Sequence, residues 1–381
     1  MEITVLCEGD SNDISLWSNF PYFVTKGIEE NGIVVNRVNL YDRPHIMVKN
    51  VFDKTLRRIA KFFIRNTTFK YDRTALYHFM INRRLKKAVI NYPKTDLFIC
   101  LSFSFNPAKY TNKPCIMMCD WTYEFSIEKD LHKSIDWFEH FEVERQIKNM
   151  RNAAFCVYWR RECESFIRQR HPEIRIKHIN NKVVNCMVKS MGHDFDYIEN
   201  KFKSSTVLFM GAPRYLSGAI VFYNSVIQLI NEGSCLKAYI IGISEELIKD
   251  YVSIDDRVIC IGYLRKGVEK EKNTYYDLIR SAKICVNTTQ DFVSIASLME
   301  CQYMSTPVIV SRNKQTEYEY GSNNDFVIFC DNNTDDLKGK IQTVLNMDKK
   351  EYTNLCHRNF DYYKNASWKC YIRELIDEYN T

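Results

Sequence analysis

"KICVNTTQDFVSIASLMECQYMSTPVIVS", Lys283–Ser311, is the stretch whose reading decides the fold. "KICVN" and "PVIVS" are short apolar runs of strand length. Between them "FVSIASLMECQYM" sets Ile295, Leu298, Met299 and Gln302 at helical spacing and puts Glu300 on another face. Strand, loop, helix and strand make a βαβ unit. Parallel strands buried on both faces read as continuous apolar runs, and such sheets take ligands in the crevice at their strand C-termini. The helix start at Val293, Ser294 and Ile295 presents backbone N–H groups and a partial positive charge. An anion, most simply a diphosphate, is favoured there.

The same alternation runs outward in both directions. "EITVLC" opens the chain as a strand, a loop and helix reach Gly32, and "IVVNRVNL" returns as a second strand. "DLFICLSF" and "CIMMCD" are two more buried strands, and "AAFCVYW" with "RRECESFIRQRH" adds a strand and a helix. Leu131–Arg151 reads as one long charged helix with Ile135, Phe138 and Val143 inward. After a crossover, "TVLFM" ends at Gly211 and begins a second doubly wound sheet, continued by "LKAYIIG", "RVICIGYL" and "DFVIFC". The terminal "SWKCYIRELIDEY" is amphipathic, with Trp368, Tyr371, Ile372, Leu375 and Ile376 on one face.

The fold class expected is α/β, two Rossmann-like doubly wound domains facing a cleft. The divisions expected are 1–185 for an acceptor domain, 186–204 for a crossover linker and 205–348 for a nucleotide-sugar domain. Residues 349–381 would be helices packing back toward the first domain.

Residues 48–92 differ from their surroundings, with twelve Lys or Arg against two Asp and phenylalanines interleaved. Leu56, Ile59 and Phe63, then Phe79, Leu85 and Ala88, fall at helical spacing and are expected inward. Basic amphipathic helices suit an anionic membrane surface or a lipid-linked acceptor, and equally a solvated flank of the sheet. A net charge of +6 over 381 residues does not indicate a nucleic-acid-binding tail. The fourteen cysteines show no paired spacing, and the opening residues do not read as a signal segment. No apolar run approaches the ~18 residues of a membrane span. A cytoplasmic setting, peripheral at the membrane's inner face if the basic region binds lipid, is the expectation. His132, Asp136, Glu139 and His140 lack the spacing of a metal set, so no metal is expected.

The central stretch resembles "PSxxEGFGLxxLEAMAxGxPVVAS" of the GT-B glycosyltransferases, especially glycosyltransferase family 4. Setting Glu300 on the second Glu of that pattern puts Pro307 on its proline and "VIVS" on its last strand. The first Glu falls on Phe292, with Asp291 one residue early. "FMGAPRYLSG" is similar to the family's "LLFVGRxxxxKG": Gly211 and Gly218 line up, the Lys slot is Ser217, and Arg214 is the loop's cation. "WSNFPYF", with Trp17 and Asn19, is similar to a loop near the amino terminus of some bacterial members. "CDWTYEF" matches the strand end where the family carries a polar residue.

The resemblance implies sugar transfer from a nucleoside-diphosphate sugar to a saccharide or lipid-linked acceptor in surface glycan or glycoconjugate assembly, with retention, without a cofactor and without a metal. It makes Asp120 the polar residue at the reacting centre, though by local chemistry Asp120 is equally a helix N-cap. It assigns the donor to Gly211, Arg214, Tyr263, Val293, Ser294, Ile295 and Glu300, and the acceptor side to Trp17 and Asn19. The missing first Glu and Lys leave a second reading, a catalytically silent binding or scaffold subunit. A sugar-nucleotide epimerase of the same architecture has no motif of its own here.

Overall fold

Among the described residues, short β-branched runs ending at polar turns form eleven strands, which fall into two wholly parallel sheets. A computed structural model of the chain describes residues 1–41, 43–63, 68, 70–290 and 292–381, without the side chains of 43–45, 56–58, 60, 61 and 63. The inward places expected for Leu56 and Phe63, and the position of Asp291, thus lie outside the described residues. The first sheet holds β1 (Glu2–Cys7), β2 (Val34–Asn39), β3 (Leu97–Cys100), β4 (Cys115–Cys119) and β5 (Phe155–Tyr158) in the order β2-β1-β3-β4-β5. The second holds β6 (Thr206–Met210), β7 (Lys237–Ile241), β8 (Val258–Gly262), β9 (Ile284–Asn287), β10 (Val308–Ser311) and β11 (Val327–Cys330) in the order β11-β10-β9-β6-β7-β8. Counted from its own first strand, that second order is the dinucleotide-fold order 3-2-1-4-5-6.

The chain divides into one unit of Met1–Asn181 with Trp368–Thr381 and another of Lys182–Ser367. This differs from the expected boundaries. Residues 186–204 are no bare linker, because the helix Phe195–Lys203 buries Ile198 in the second unit's core and Tyr197 donates to the Met304 carbonyl at 2.8 Å. The helix Lys349–Tyr363 also belongs to the second unit, since Tyr352 Oη donates to the Lys283 carbonyl at 2.7 Å and Asn359 Nδ2 to the Phe326 carbonyl at 2.7 Å. Within the first unit the last helix, Trp368–Asn380, packs Trp368 at 5.2 Å from Trp159 and 5.7 Å from Phe20.

Three sequence expectations are corrected. The helix expected from Leu131 starts at Trp137, because the Asp136 carboxylate caps it by accepting from the Glu139 amide while Glu139 reaches back to the Asp136 amide. Ile59 and Phe79 are exposed, not inward. Along the helix Ala75–Asn91 the buried positions are Tyr77, His78, Ile81, Leu85 and Ala88, a stripe that leaves Phe79 on the far side. Along the helix Arg43–Phe63, Val48 and Phe52 take the inward places, and Ile46, Met47, Val51, Ile59 and Phe62 face solvent.

Candidate functional site

Each sheet has one point where the strand order reverses, and each of these points carries residues expected at a site. In the second sheet it lies between β6 and β9. The loop after β6 runs through Gly211 and Arg214 into the helix Leu216–Asn231, and the loop after β9 runs through Thr288 and Thr289. The two elements meet without room for a side chain at Gly218, whose added Cβ would sit 1.5 Å from the Thr288 carbonyl oxygen. Asn287 is fully buried and clips the loops together: its Nδ2 donates to the Met210 carbonyl, and its Oδ1 accepts from the Ser294 amide at 3.2 Å.

Arg214 is exposed over this point. Its Nη2 donates to Tyr215 Oη at 2.7 Å, and its guanidinium carbon lies 4.8 Å from the Tyr215 ring and 5.7 Å from that of Phe292. The aromatic pair fixes one side of the fork and leaves the cation at the surface. Phe292, standing where the family pattern has its first Glu, is thus a wall for the Arg214 side chain.

The amides at the start of the helix Ile295–Tyr303 are occupied within the chain. Val293 N donates to Gln315 Oε1 at 2.8 Å, Ser294 N to Asn287, and Ile295 N to the Val293 carbonyl at 2.9 Å. The expectation of unpaired N–H groups at Val293, Ser294 and Ile295 is corrected accordingly. Gln315, which lies beyond β10, carries no sequence signal for this role.

Glu300 departs furthest from expectation. It is 3% exposed, and its helix turns inward through Leu298, Glu300, Cys301 and Gln302, with Met299 only half-buried. Lys266 Nζ lies 2.5 Å from Glu300 Oε1, Tyr275 Oη donates to the same oxygen at 3.4 Å, and Tyr276 Oη donates to Oε2 at 3.0 Å. Burial pushes the Glu300 carboxyl above the usual carboxylate range, opposed by Lys266 and the two hydroxyls. Its oxygens therefore serve a buried ion pair. Tyr263 is exposed just after the edge strand β8, two strands from the switch point.

In the first unit a cavity of about 1120 Å³ opens at the C-terminal ends of β1, β3 and β4. Glu8 follows β1, Ser102 and Ser104 follow β3, and Asp120 and Trp121 follow β4. Asp120 is exposed on its rim. Gly9, at φ +117°, lets the chain turn away directly after Glu8, and its amide donates to Asn39 Oδ1 at 3.0 Å. Glu8 Oε1 accepts from the Tyr77 hydroxyl, and burial pushes its carboxyl up to about 7. Deeper in the wall, the Arg73 guanidinium stacks 3.7 Å from the Tyr123 ring, and the Tyr123 amide donates to Gln146 Oε1 at 2.8 Å.

Trp17 also lines this cavity. Trp17, Ser18 and Asn19 all have positive φ (45°, 53° and 71°), a costly run for residues other than glycine. It is held from both sides: Asn19 Nδ2 donates to the Ile14 carbonyl at 2.6 Å, and the Phe20 ring meets Trp159 edge-on at 4.3 Å. Asn19 is buried, so of the two loop residues expected at the site only Trp17 reaches the cavity. Sequence reasoning passed over Glu8, although it stands at a strand C-terminus as Asp120 does. His132, Asp136, Glu139 and His140 do not converge, because Asp136 and Glu139 serve the helix cap and Lys133, while His140 lies 3.5 Å from Glu144.

These two sheets, with their switch points, make the GT-B fold, and comparison of the whole chain with solved structures agrees. HepE of Anabaena in complex with UDP and glucose is similar over 100% of this chain and 99% of its own, with a TM-score of 0.66 at 11% identity. Sucrose-phosphate synthase from Thermosynechococcus elongatus is similar over 100% and 98%, with a TM-score of 0.66 at 12% identity. A glycosyltransferase from Rickettsia africae is similar over 100% and 97%, with a TM-score of 0.62 at 14% identity. No protein-family model and no curated protein sequence matches the chain.

Proposed function

We propose that the protein transfers a sugar from a nucleoside-diphosphate sugar to a saccharide or lipid-linked acceptor, in the assembly of a surface glycan or glycoconjugate. The observation that carries this reading is the β6/β9 switch point, where glycine-tight packing and the exposed Arg214 leave a cationic fork over a crevice of dinucleotide type. The full-length likeness to a protein solved with UDP and glucose supports it. A diphosphate there would be gripped by Arg214, whose charge also stabilises the leaving group as its bond to the sugar breaks. Retention and metal independence are carried by the family resemblance, and the anomeric configuration of the product and turnover in chelator test them.

Calorimetric titration with UDP-, GDP- and ADP-glucose is the direct test. One of the three should bind, and Arg214→Ala should weaken that binding by roughly tenfold or more, since a hydrogen bond to a charged group contributes about 1.5–3 kcal/mol. Arg214→Lys should recover only part of it, because an ammonium lacks the planar fork.

A second reading, a GT-B binding or scaffold subunit without turnover, is favoured by the enclosure of Glu300 in its pair with Lys266. Nucleotide-sugar binding without release of nucleotide would select it.

Contact with an anionic bilayer belongs to the first reading. The exposed apolar residues of the helix Arg43–Phe63 stand with Lys54 at the surface, and Phe79, Arg83, Lys86 and Ile90 are exposed along the helix Ala75–Asn91. Among the described residues no helix is long and apolar enough to cross a membrane.

A further inference from the structure

We infer that the protein pairs with a second copy of itself along β8, the two strands running antiparallel about a two-fold axis at Cys260. The inference goes beyond the nucleotide-sugar reading and does not depend on it.

The outer edge of the second sheet carries it. An edge strand presents backbone groups that template pairing with another chain, and folded proteins blunt such edges with charge or cover them. Three of the four edge strands here are treated in this way. The backbone of β5 is engaged by a later segment, Cys156 N donating to the Arg175 carbonyl at 2.8 Å and Lys177 N to the Cys156 carbonyl at 3.1 Å. β2 carries Asn36 and Arg37, and β11 sets the Phe329 ring 4.4 Å from the Arg312 guanidinium carbon. β8 reads "VICIG", with no charge in it, and among the described residues no strand lies beyond it. Exposed apolar and aromatic side chains gather at the same edge. Leu247, Tyr251, Ile254, Ile259, Tyr263 and Val268 all stand on β8 or on the connections that lead into and out of it.

The occupant that fits this edge is the edge itself, reversed. Gly262 N donates to the Ile243 carbonyl at 3.2 Å, on the β7 side. Across the planar peptide the Ile261 carbonyl therefore points to the open edge, and by the strand's alternation the backbone groups of Ile259 point there too. Antiparallel pairing about Cys260 sets Ile259 against Ile261 of the second copy, and Ile261 against its Ile259, as two hydrogen-bonded pairs.

The charges flanking the strand agree with that direction. Asp255 and Asp256 precede β8 and Arg265 follows it. Asp255 is engaged by Arg257 and Arg265 by Glu271, but Asp256 is exposed and the Arg265 fork uses only Nε and Nη2 on Glu271. Its remaining nitrogen can take a second carboxylate. Antiparallel pairing brings Asp256 of each copy to the end that carries Arg265 of the other, whereas parallel pairing would set acid beside acid. A two-fold contact of this kind uses the same patch on both copies and closes at two.

Sedimentation equilibrium of the full chain over about 1–100 µM is the test, since the dimer fraction follows protomer concentration. Wild type should reach the mass of two chains within that range. Ile259→Lys replaces a side chain 47% exposed, so the monomer keeps its fold, and it adds the charge that blunts an edge. It should raise the dissociation constant roughly tenfold or more. Asp256→Lys should raise it about fivefold at low salt, and Asp256→Lys with Arg265→Glu should recover most of that, because the reversed ends match again. In a chain whose exposed Cys235 is replaced by Ser, diamide should oxidise Cys260 of the two copies to one disulfide. Residues opposed in a non-hydrogen-bonded pair lie about 4.5 Å apart, within a disulfide's reach. A chain that stays monomeric at about 100 µM would overturn the inference. So would an unchanged dissociation constant in Ile259→Lys, or a dimer that diamide does not link through Cys260.

Discussion

Replacing Glu300 by Gln keeps the side chain's shape and removes its charge, leaving the Lys266 ammonium without its counter-ion in a nearly closed site. Breaking one side of such a pair costs about 3–5 kcal/mol, far more than a surface pair. Glu300→Gln should therefore unfold at clearly lower urea than wild type, and Glu300→Leu combined with Lys266→Met should recover most of the loss. An unchanged unfolding midpoint in the single variant would show that the pair is open to solvent. Glu8 makes the opposite prediction. Its carboxyl is raised in the folded state from about 4.5 to about 7, so the folded chain holds a proton that the unfolded chain has released. Stability from this group is complete below about pH 4.5 and is lost as pH rises to about 7, on the order of 3 kcal/mol in all. Glu8→Gln should accordingly be more stable than wild type at pH 8, with the gap closing by pH 4.5 in denaturant titrations. Neither environment was legible in sequence. Helical spacing places Glu300 away from Leu298 but says nothing of Tyr275 and Tyr276 arriving from the helix Glu269–Ser281, or of Lys266 from the turn before it.

At the scale of elements, the parallel strands were legible because a strand buried on both faces needs an unbroken apolar run, and "KICVN", "PVIVS" and "TVLFM" each supply one. Helix ends were less so. Leu131–Asp136 continues the charged pattern of the helix that follows, yet the Asp136 cap satisfies the first amides and stops the helix there. Inward faces were misread where apolar residues lie on both sides of a helix, as at Ile59 and Phe79. That ambiguity leads to a prediction, because apolar residues beyond those the core needs face outward beside cations. Phe62 is 85% exposed and Phe79 60%. The protein should co-sediment with vesicles containing anionic lipid and release as salt rises, since screening acts over about 10 Å at 0.1 M. Phe62→Ser with Phe79→Ser should weaken this at every salt concentration. Equal binding to neutral vesicles, or none to either kind, would assign both faces to solvent.

Across the whole molecule, the two-sheet plan and all five inward residues of the last helix agree with the reading of the sequence, but the partition of the chain does not. Residues 349–363 carry an amphipathic pattern that does not name its partner, and the polar anchors Tyr352 and Asn359 tie them to the second unit. The last helix is tied to the first by Trp368 against Trp159 and by Asn31 Nδ2 donating to the Lys369 carbonyl at 2.9 Å. Trp368→Ala removes about 3–5 kcal/mol of packing from that unit. Hydrogen exchange should quicken in residues 1–181 and 369–381 and stay unchanged in 182–367. A uniform change would show that the chain opens as one.

That the first unit takes its last helix from residues 368–381 also bears on how the chain is made. A ribosome adding ~5–20 residues per second needs roughly 10–40 s to pass from residue 181 to residue 368. Throughout that interval Phe20, Phe23 and Trp159 wait without the Trp368 ring they will pack against. The half of the protein that is translated first is therefore the half that is finished last, and an aromatic surface stands open to chaperones until the final helix leaves the exit tunnel.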